Sequence, residues 1–272
     1  MLHKYTESET ESYYDGEDAV YRALWDKDGI VHWGLFDETT GRNFVEAARN
    51  LNRFMRQLGA ITEADSLIDV GCGSGTNAIW LATETGCRAT GIDLSGVRIE
   101  NAQDALTREP SEIQARTVFH KASATDLPFE EGSFTRAWSQ ATIYHVPDKE
   151  AVLREVYRVL EPGGVFVFDD LTKPNPEIGE DARKYVYERL LYDTDFSFES
   201  YQQALKDAGF QILEAHDFSG HLKTSYECLS ELAGRGDPEH QERFDYLHRA
   251  YAETALAVTR GEVGWAVFVC KK

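Results

Sequence analysis

In the stretch SLIDVGCGSGTN (Ser66–Asn77), Gly71, Gly73 and Gly75 alternate directly behind a short apolar run. A glycine turn between a strand and a helix lets the backbone approach a ligand where a side chain would intrude. A triphosphate loop would need G-x-x-x-x-G-K-[ST], with the lysine reaching the phosphates. No lysine lies between Lys27 and Lys121, which excludes it. A dinucleotide fingerprint, G-x-G-x-x-G, would need its third glycine at position 76, but Thr76 stands there and the glycine is Gly75. Asp93 ends the next apolar run, 18 residues after Gly75, where a carboxylate can accept both hydroxyls of a ribose. Nicotinamide enzymes share that requirement, so Asp93 alone does not identify the ligand.

The elements that must position these residues follow from the apolar rhythm. Ala19–Trp25 and Asn43–Gly59 carry apolar residues at three- and four-residue spacing and read as helices, with Gly59 as the C-cap of the second. From Ser66 onward, strands and helices alternate. Strands are expected at LIDV, Arg88–Asp93, ARTVFHKA, Ser133–Gln140 and Gly164–Leu171, and helices at Thr76–Thr85, Gly96–Thr107 and DKEAVLREVYRVL. Asp148 is the N-cap candidate of the last helix, and Gly163–Gly164 reads as the turn between that helix and its strand. This alternation predicts an α/β protein, a mostly parallel sheet with helices on both faces. After Leu171 come a turn-rich insertion, a short helix over ARKYVYERLLYD and a helix over FESYQQALKDAGF. A sixth strand (FQILEAHDF), a mostly helical stretch from His221 to Thr259 broken at GRGDPEH, and a closing strand (EVGWAVFVC) complete the chain.

The chain has 272 residues, enough for one decorated domain or two small ones. With 28 basic against 47 acidic residues its net charge is −19, and it lacks the basic footprint that nucleic-acid binding requires. No apolar run approaches the roughly 18 residues of a membrane span. The polar, acidic N-terminus does not read as a signal or transit peptide, so a cytoplasmic protein without membrane insertion is expected. Cys72, Cys87, Cys228 and Cys270 form no C-x-x-C pair and read as reduced structural thiols. His216, His221 and Cys228 lack the spacing of a ligand set, so no metal site is expected.

Asp69-x-Gly71-x-Gly73-x-Gly75 closely resembles the first motif of class I S-adenosylmethionine-dependent methyltransferases. SATDLPFEEGSF (Ser123–Phe134) resembles the family's G-D-A-x-x-L-P-F stretch, whose loop sits against the adenine; Ser123 replaces the usual aspartate and Ala124 keeps its place. WSQATIYHVPDKEAVLREVYRVLEPGGVFVFDD resembles the family's fourth strand, following helix and fifth strand, including L-x-P-G-G. The resemblance implies a Rossmann-like fold with a seven-stranded, mostly parallel sheet and S-adenosyl-L-methionine as cofactor. It implies Asp69, Gly71, Gly73, Gly75, Asp93, Leu94, Ser123, Ala124 and Gln140 as cofactor-binding residues.

Tyr13–Glu38 further resembles the cap segment of the sarcosine/dimethylglycine N-methyltransferase group, with His32, Gly34 and Phe36 falling on its I-H-x-G pattern. Mycolic-acid cyclopropane synthases and several natural-product methyltransferases share the layout more loosely. The resemblance divides the chain into a helical N-terminal lid (1–60) and a cofactor-binding domain (61–272), with cap insertions at about 172–197 and 221–259. It adds His32, holding the cofactor carboxylate, and Trp33 to the cofactor site. The expected partner is a small-molecule methyl acceptor, with a homodimer possible. Tyr14 and His145 are the candidate catalytic residues. His145 follows the fourth strand, where either proton transfer or a structural hydrogen bond to backbone suits it. A glycine-like acceptor would need an arginine for its carboxylate, and Arg22, Arg183 and Arg189 are available. The best reading is transfer to the amine of a small amino acid such as sarcosine or dimethylglycine. The alternatives are O- or C-methylation of an apolar natural product or lipid, and a cofactor-binding protein without catalysis.

Overall fold

The computed structural model describes residues 5–12, 32–191, 194–236 and 240–272. The expected helix at Ala19–Trp25, together with Tyr13, Tyr14 and Arg22, lies outside these residues. A short helical segment, 7–12, precedes α1 (Phe44–Leu58). Then follow β1 (Ser66–Val70), α2 (Thr76–Thr85), β2 (Arg88–Asp93), α3 (Gly96–Leu106), β3 (Thr117–Lys121), β4 (Phe134–Ser139), α4 (Lys149–Val159) and β5 (Leu160–Thr172). The remaining chain forms α5 (Phe198–Asp207), β6 (Gln211–Asp217), α6 (Ser219–Ala233), α7 (Gln241–Thr259) and β7 (Gly264–Lys271).

Among the described residues, seven strands form one sheet in the order β3-β2-β1-β4-β5-β7-β6. The first five are parallel, and β7 pairs antiparallel with both β5 and β6. The chain winds outward from β1 to β3, then returns to place β4 on the other side of β1. That reversal opens a crevice outside the carboxyl ends of β1 and β4, where ligands of open α/β sheets bind.

Strand periodicity divides the core. Val167, Val267 and Val269 face α1, α2 and the cap helices α6 and α7. Phe166, Phe168 and Phe268 face α4 and α5. Phe168 pairs with Phe268 across β5 and β7, their rings stacked at 5.2 Å. Asp148, the N-cap read from sequence, accepts from the Ala151 amide, and Asn43 accepts from the Glu46 amide, each supplying a partner to an N-terminal N–H.

Two elements differ from expectation. Strand β5 begins at Leu160, not Gly164, because Leu160 pairs with Phe134 and the Pro162–Gly163–Gly164 stretch is an irregularity inside the strand. Gly163 takes a φ of +88° there, and its amide donates to the Lys272 carbonyl. The expected helix after Ala182 begins as a π-helical turn, Arg183–Glu188, that packs against α7.

Gly75 starts α2 at a φ of +79°, and a Cβ there would lie 2.5 Å from the Phe119 ring and 2.9 Å from Ala102. Gly41 has a φ of +52°, but a Cβ there would meet no atom within 4 Å. Gly75→Ala should therefore cost about 2 kcal/mol or more, combining left-handed strain with overpacking, while Gly41→Ala carries the backbone strain alone. Urea unfolding of the two variants checks this; equal midpoints would contradict it.

Candidate active site

The crevice is organised around one carboxylate. Asp93, at the end of β2, accepts from the Gly73 amide through Oδ2 and from the Ser95 amide through Oδ1, each at 2.9 Å. The amides of Gly71 and Cys72 donate to the Ile92 carbonyl at 2.8 and 2.9 Å. The glycine turn is thus tied to β2 by main chain and side chain together. Its three glycines all have positive φ and divide the work. Gly71 lines the cleft, Gly73 is held by Asp93, and Gly75 admits the Phe119 ring beneath α2.

The cleft encloses about 620 Å³ of space, open solvent at its mouth included. Gly71, Asp93, Leu94, Ser123, Ala124 and His145 all line it. Asp93 accepts two N–H groups, while a carboxylate offers about four lone-pair sites, so capacity remains for a vicinal diol. These features fit an adenosine-bearing ligand: a ribose acceptor, a close-approaching backbone and a wall of small residues at 122–124.

Other expected residues stand behind this surface and are not among those lining this cleft. Asp69 lies buried beneath the turn, bonded to the Ala78 amide. Burial, reinforced by the negative charge of Asp93, pushes its pKa up to about 8, so it holds a proton at neutrality. Gln140 Oε1 accepts from Asn77 at 2.7 Å and from the Trp138 indole at 3.1 Å, and Asn52 donates to Asn77 at 3.0 Å. This buried chain joins α1, α2 and β4.

The two histidines are neutral. Burial, followed by the charge of Arg98, holds His145 well below its ordinary pKa, and hydrogen bonds to the Leu191 and Leu190 backbone link its ring to the cap. A base so weakened has little drive to deprotonate an ammonium. His32 is brought down to about 4, chiefly by burial. Its Nδ1 lies 2.9 Å from the Trp33 carbonyl and must donate, which leaves Nε2 able only to accept. Nε2 has no hydrogen-bond partner among the described residues, and neither does the indole N–H of Trp33. A neutral acceptor suits an ammonium better than a carboxylate. Donation from Nε2 to a carboxylate would require the protonated ring. Tyr14 lies outside the described residues.

Sequence reasoning missed Glu7 and Thr10, which line the cleft, and the pair Asp169–Asp170 at the end of β5. Asp169 accepts from the Trp265 indole at 3.0 Å, and Asp170 from the Tyr144 amide at 2.8 Å and the Tyr201 hydroxyl at 2.9 Å. Burial raises both pKa values to about 7. Two aspartates closing an apolar strand were the available signal. They anchor an aromatic cluster in which Trp33 lies 5.9 Å from Tyr144, 6.4 Å from Tyr226 and 5.6 Å from Trp265.

The raised carboxyls set a pH dependence. A carboxyl whose folded pKa is raised keeps its proton in the fold, so its stabilising contribution is complete below the unfolded pKa near 3.8 and is lost as pH rises towards 8 for Asp69. His32, lowered to about 4, acts oppositely, its contribution being lost as pH falls from 6.5 towards 4. Asp69→Asn keeps an acceptor for Ala78 and removes the titration. Urea midpoints at pH 5.5 and pH 8 should therefore differ less in Asp69→Asn than in the parent, by more than about 1 kcal/mol in stability. Parallel pH profiles would contradict the assignment.

Residues 68–168 match the family model of a methyltransferase domain. The chain is 29% identical over 268 residues to a sarcosine/dimethylglycine N-methyltransferase of Halorhodospira halochloris, covering 96% of this chain and 94% of that protein. It is 31% identical over 213 residues to the O-methyltransferase resE of Aspergillus sclerotiorum, covering 75% of this chain and 77% of that protein. Its fold matches the mycolic acid cyclopropane synthase CmaA1, solved with S-adenosylhomocysteine, at a TM-score of 0.85 and 17% identity over 99% of each chain. Among the described residues no helix is long and apolar enough to cross a membrane. With the glycine turn, the carboxylate at the end of β2 and the sheet order in agreement, the chain belongs to the S-adenosylmethionine-dependent methyltransferases.

Proposed function

We propose that the methyl acceptor is the amine of a small amino acid such as sarcosine or dimethylglycine. The observation that carries this reading is Arg189. Of the three arginines open from sequence, Arg22 lies outside the described residues, Arg183 is exposed and Arg189 is buried in the cap. Its guanidinium carbon sits 5.6 Å from the Tyr226 ring and 5.1 Å from the Tyr251 ring, and its Nε donates to the Tyr185 carbonyl at 2.7 Å. Its Nη2 donates to the Tyr226 hydroxyl at 3.5 Å and to Thr254 Oγ1 at 3.4 Å, and a buried guanidinium so held is the cap's candidate for the acceptor's carboxylate. Tyr226 reaches Trp33, and Trp33 reaches Tyr144, so the cation belongs to the same cap layer that covers the strand ends.

S-adenosylmethionine supplies an electrophilic methyl group on a sulfonium. The protein's part is to align a neutral amine with that methyl and to keep water out. The packed rings of Trp33, Tyr144, Tyr226 and Trp265 support both tasks, and their faces suit a dispersing positive charge. The likeness to the N-methyltransferase over nearly the whole chain, cap included, adds support. The likeness to resE favours hydroxyl acceptors as the second reading.

Offering the protein S-adenosylmethionine with separate pools of small amino acids, phenols and lipids, and measuring S-adenosylhomocysteine released, tests the proposal. Sarcosine or dimethylglycine should turn over. Arg189→Met should raise its KM by about 10-fold or more, the worth of a charge-assisted hydrogen bond, with S-adenosylhomocysteine affinity retained. Turnover confined to the phenol or lipid pool would overturn the reading.

A further inference from the structure

The helical segment 7–12 lies against the loop that follows β3. Lys121 donates to Glu11 at 2.6 Å, Ser123 Oγ donates to Glu7 Oε1 at 2.7 Å, and Thr125 Oγ1 donates to the same oxygen at 3.2 Å. Thr10 is buried, and Glu7, Thr10 and Glu11 all line the cleft beside Ala122, Ser123 and Ala124. The amide of Ala122 donates to the Asp93 carbonyl at 3.0 Å, so the 122–124 wall continues directly from the ribose end of the site. A base attached to that ribose meets this wall.

Adenine presents an exocyclic amino group, a hydrogen-bond donor, and its recognition calls for an acceptor. The side chains of the wall itself do not offer a charged one. Ser123 Oγ and Thr125 Oγ1 lie 2.8 Å apart and both within hydrogen-bond reach of Glu7 Oε1, so their hydroxyl hydrogens are taken up among these three oxygens, and Ala124 has no polar side chain. Asp126 is exposed and is not among the cleft-lining residues, and the Glu11 carboxylate is paired with Lys121. Glu7 is half-buried, and both of its hydrogen bonds to the wall fall on Oε1.

We propose that Glu7 supplies the carboxylate that reads the exocyclic amino group of the cofactor's adenine, with Ser123 and Thr125 as the hydroxyl bracket that positions it. The N-terminal segment is then a specificity-determining part of the cofactor site. The proposal rests on the S-adenosylmethionine reading of the cleft and assigns the base-recognition step within it. A carboxylate distinguishes adenine from hypoxanthine, because hypoxanthine replaces the amino donor with a carbonyl acceptor that gives it no hydrogen bond.

Calorimetric titration of the full chain with S-adenosylhomocysteine and with its inosine counterpart, S-inosylhomocysteine, tests this. The parent should prefer the adenosine form. Glu7→Ala should weaken S-adenosylhomocysteine by about tenfold and leave the inosine form nearly unchanged, so that the preference collapses. Glu7→Gln, which keeps the shape and can donate or accept, should also lose most of the preference, while Glu11→Gln should keep it. Circular dichroism of each variant should match the parent. An unchanged preference in Glu7→Ala overturns the proposal, and so does tighter binding, which would mark Glu7 as a plug. A parent that binds neither ligand overturns the cofactor reading itself, a result distinct from a parent that binds both equally.

Discussion

The site depends on a carboxylate buried at the end of a strand. Asp93 is 9% exposed, a position that would be costly for an unpaired charge. Two backbone N–H groups, those of Gly73 and Ser95, offset that cost and are themselves fixed by it. One side chain thereby holds the glycine turn after β1 and the turn that starts α3 in register across the mouth of the cleft. Burial, reinforced by that negative charge, keeps Asp69 protonated below the turn, which avoids a second buried anion close by. The sheet order makes this possible, since β1 and β2 are neighbours on one side of the reversal at β1.

A second polar layer holds the cap. Asp169 and Asp170 lie near the end of β5 in an apolar environment; Asp169 accepts from the Trp265 indole and Asp170 from the Tyr144 amide and, from the opposite face of the sheet, the Tyr201 hydroxyl. The aromatic cluster above them is therefore fixed by hydrogen bonds as well as by contact area. Buried polar groups of this kind are costly if unpaired and rigidifying if paired. Rigidity over the strand ends is what an in-line methyl transfer requires, because alignment of donor and acceptor carries much of the acceleration.

The parallel sheet and the glycine turn were legible because their causes are local. Apolar runs of strand length, glycines at positive φ and an acid at the end of β2 all stand within about thirty residues of one another, the span of a βαβ unit. The start of β5 was misplaced because Pro162, Gly163 and Gly164 carry the signal of a free turn, while pairing of Leu160 with Phe134 draws them into the strand. Glu7 was invisible because its partner Ser123 lies 116 residues away and one glutamate in an acidic terminus has no distinguishing pattern. Arg189 could not be separated from Arg183 until the π-helical turn placed one inside the cap and left the other outside. Which ring nitrogen of His32 faces the Trp33 carbonyl is a property of three-dimensional geometry.

We propose that the Asp93 carboxylate, which holds the glycine turn, also receives the ribose. Titrating S-adenosylhomocysteine into Asp93→Asn by calorimetry tests it most directly, because the substitution preserves side-chain shape and removes charge and one acceptor. Affinity should fall by about 10- to 100-fold, the worth of hydrogen bonds to a charged group, with the circular dichroism spectrum unchanged. Parental affinity in a folded Asp93→Asn protein would contradict the account.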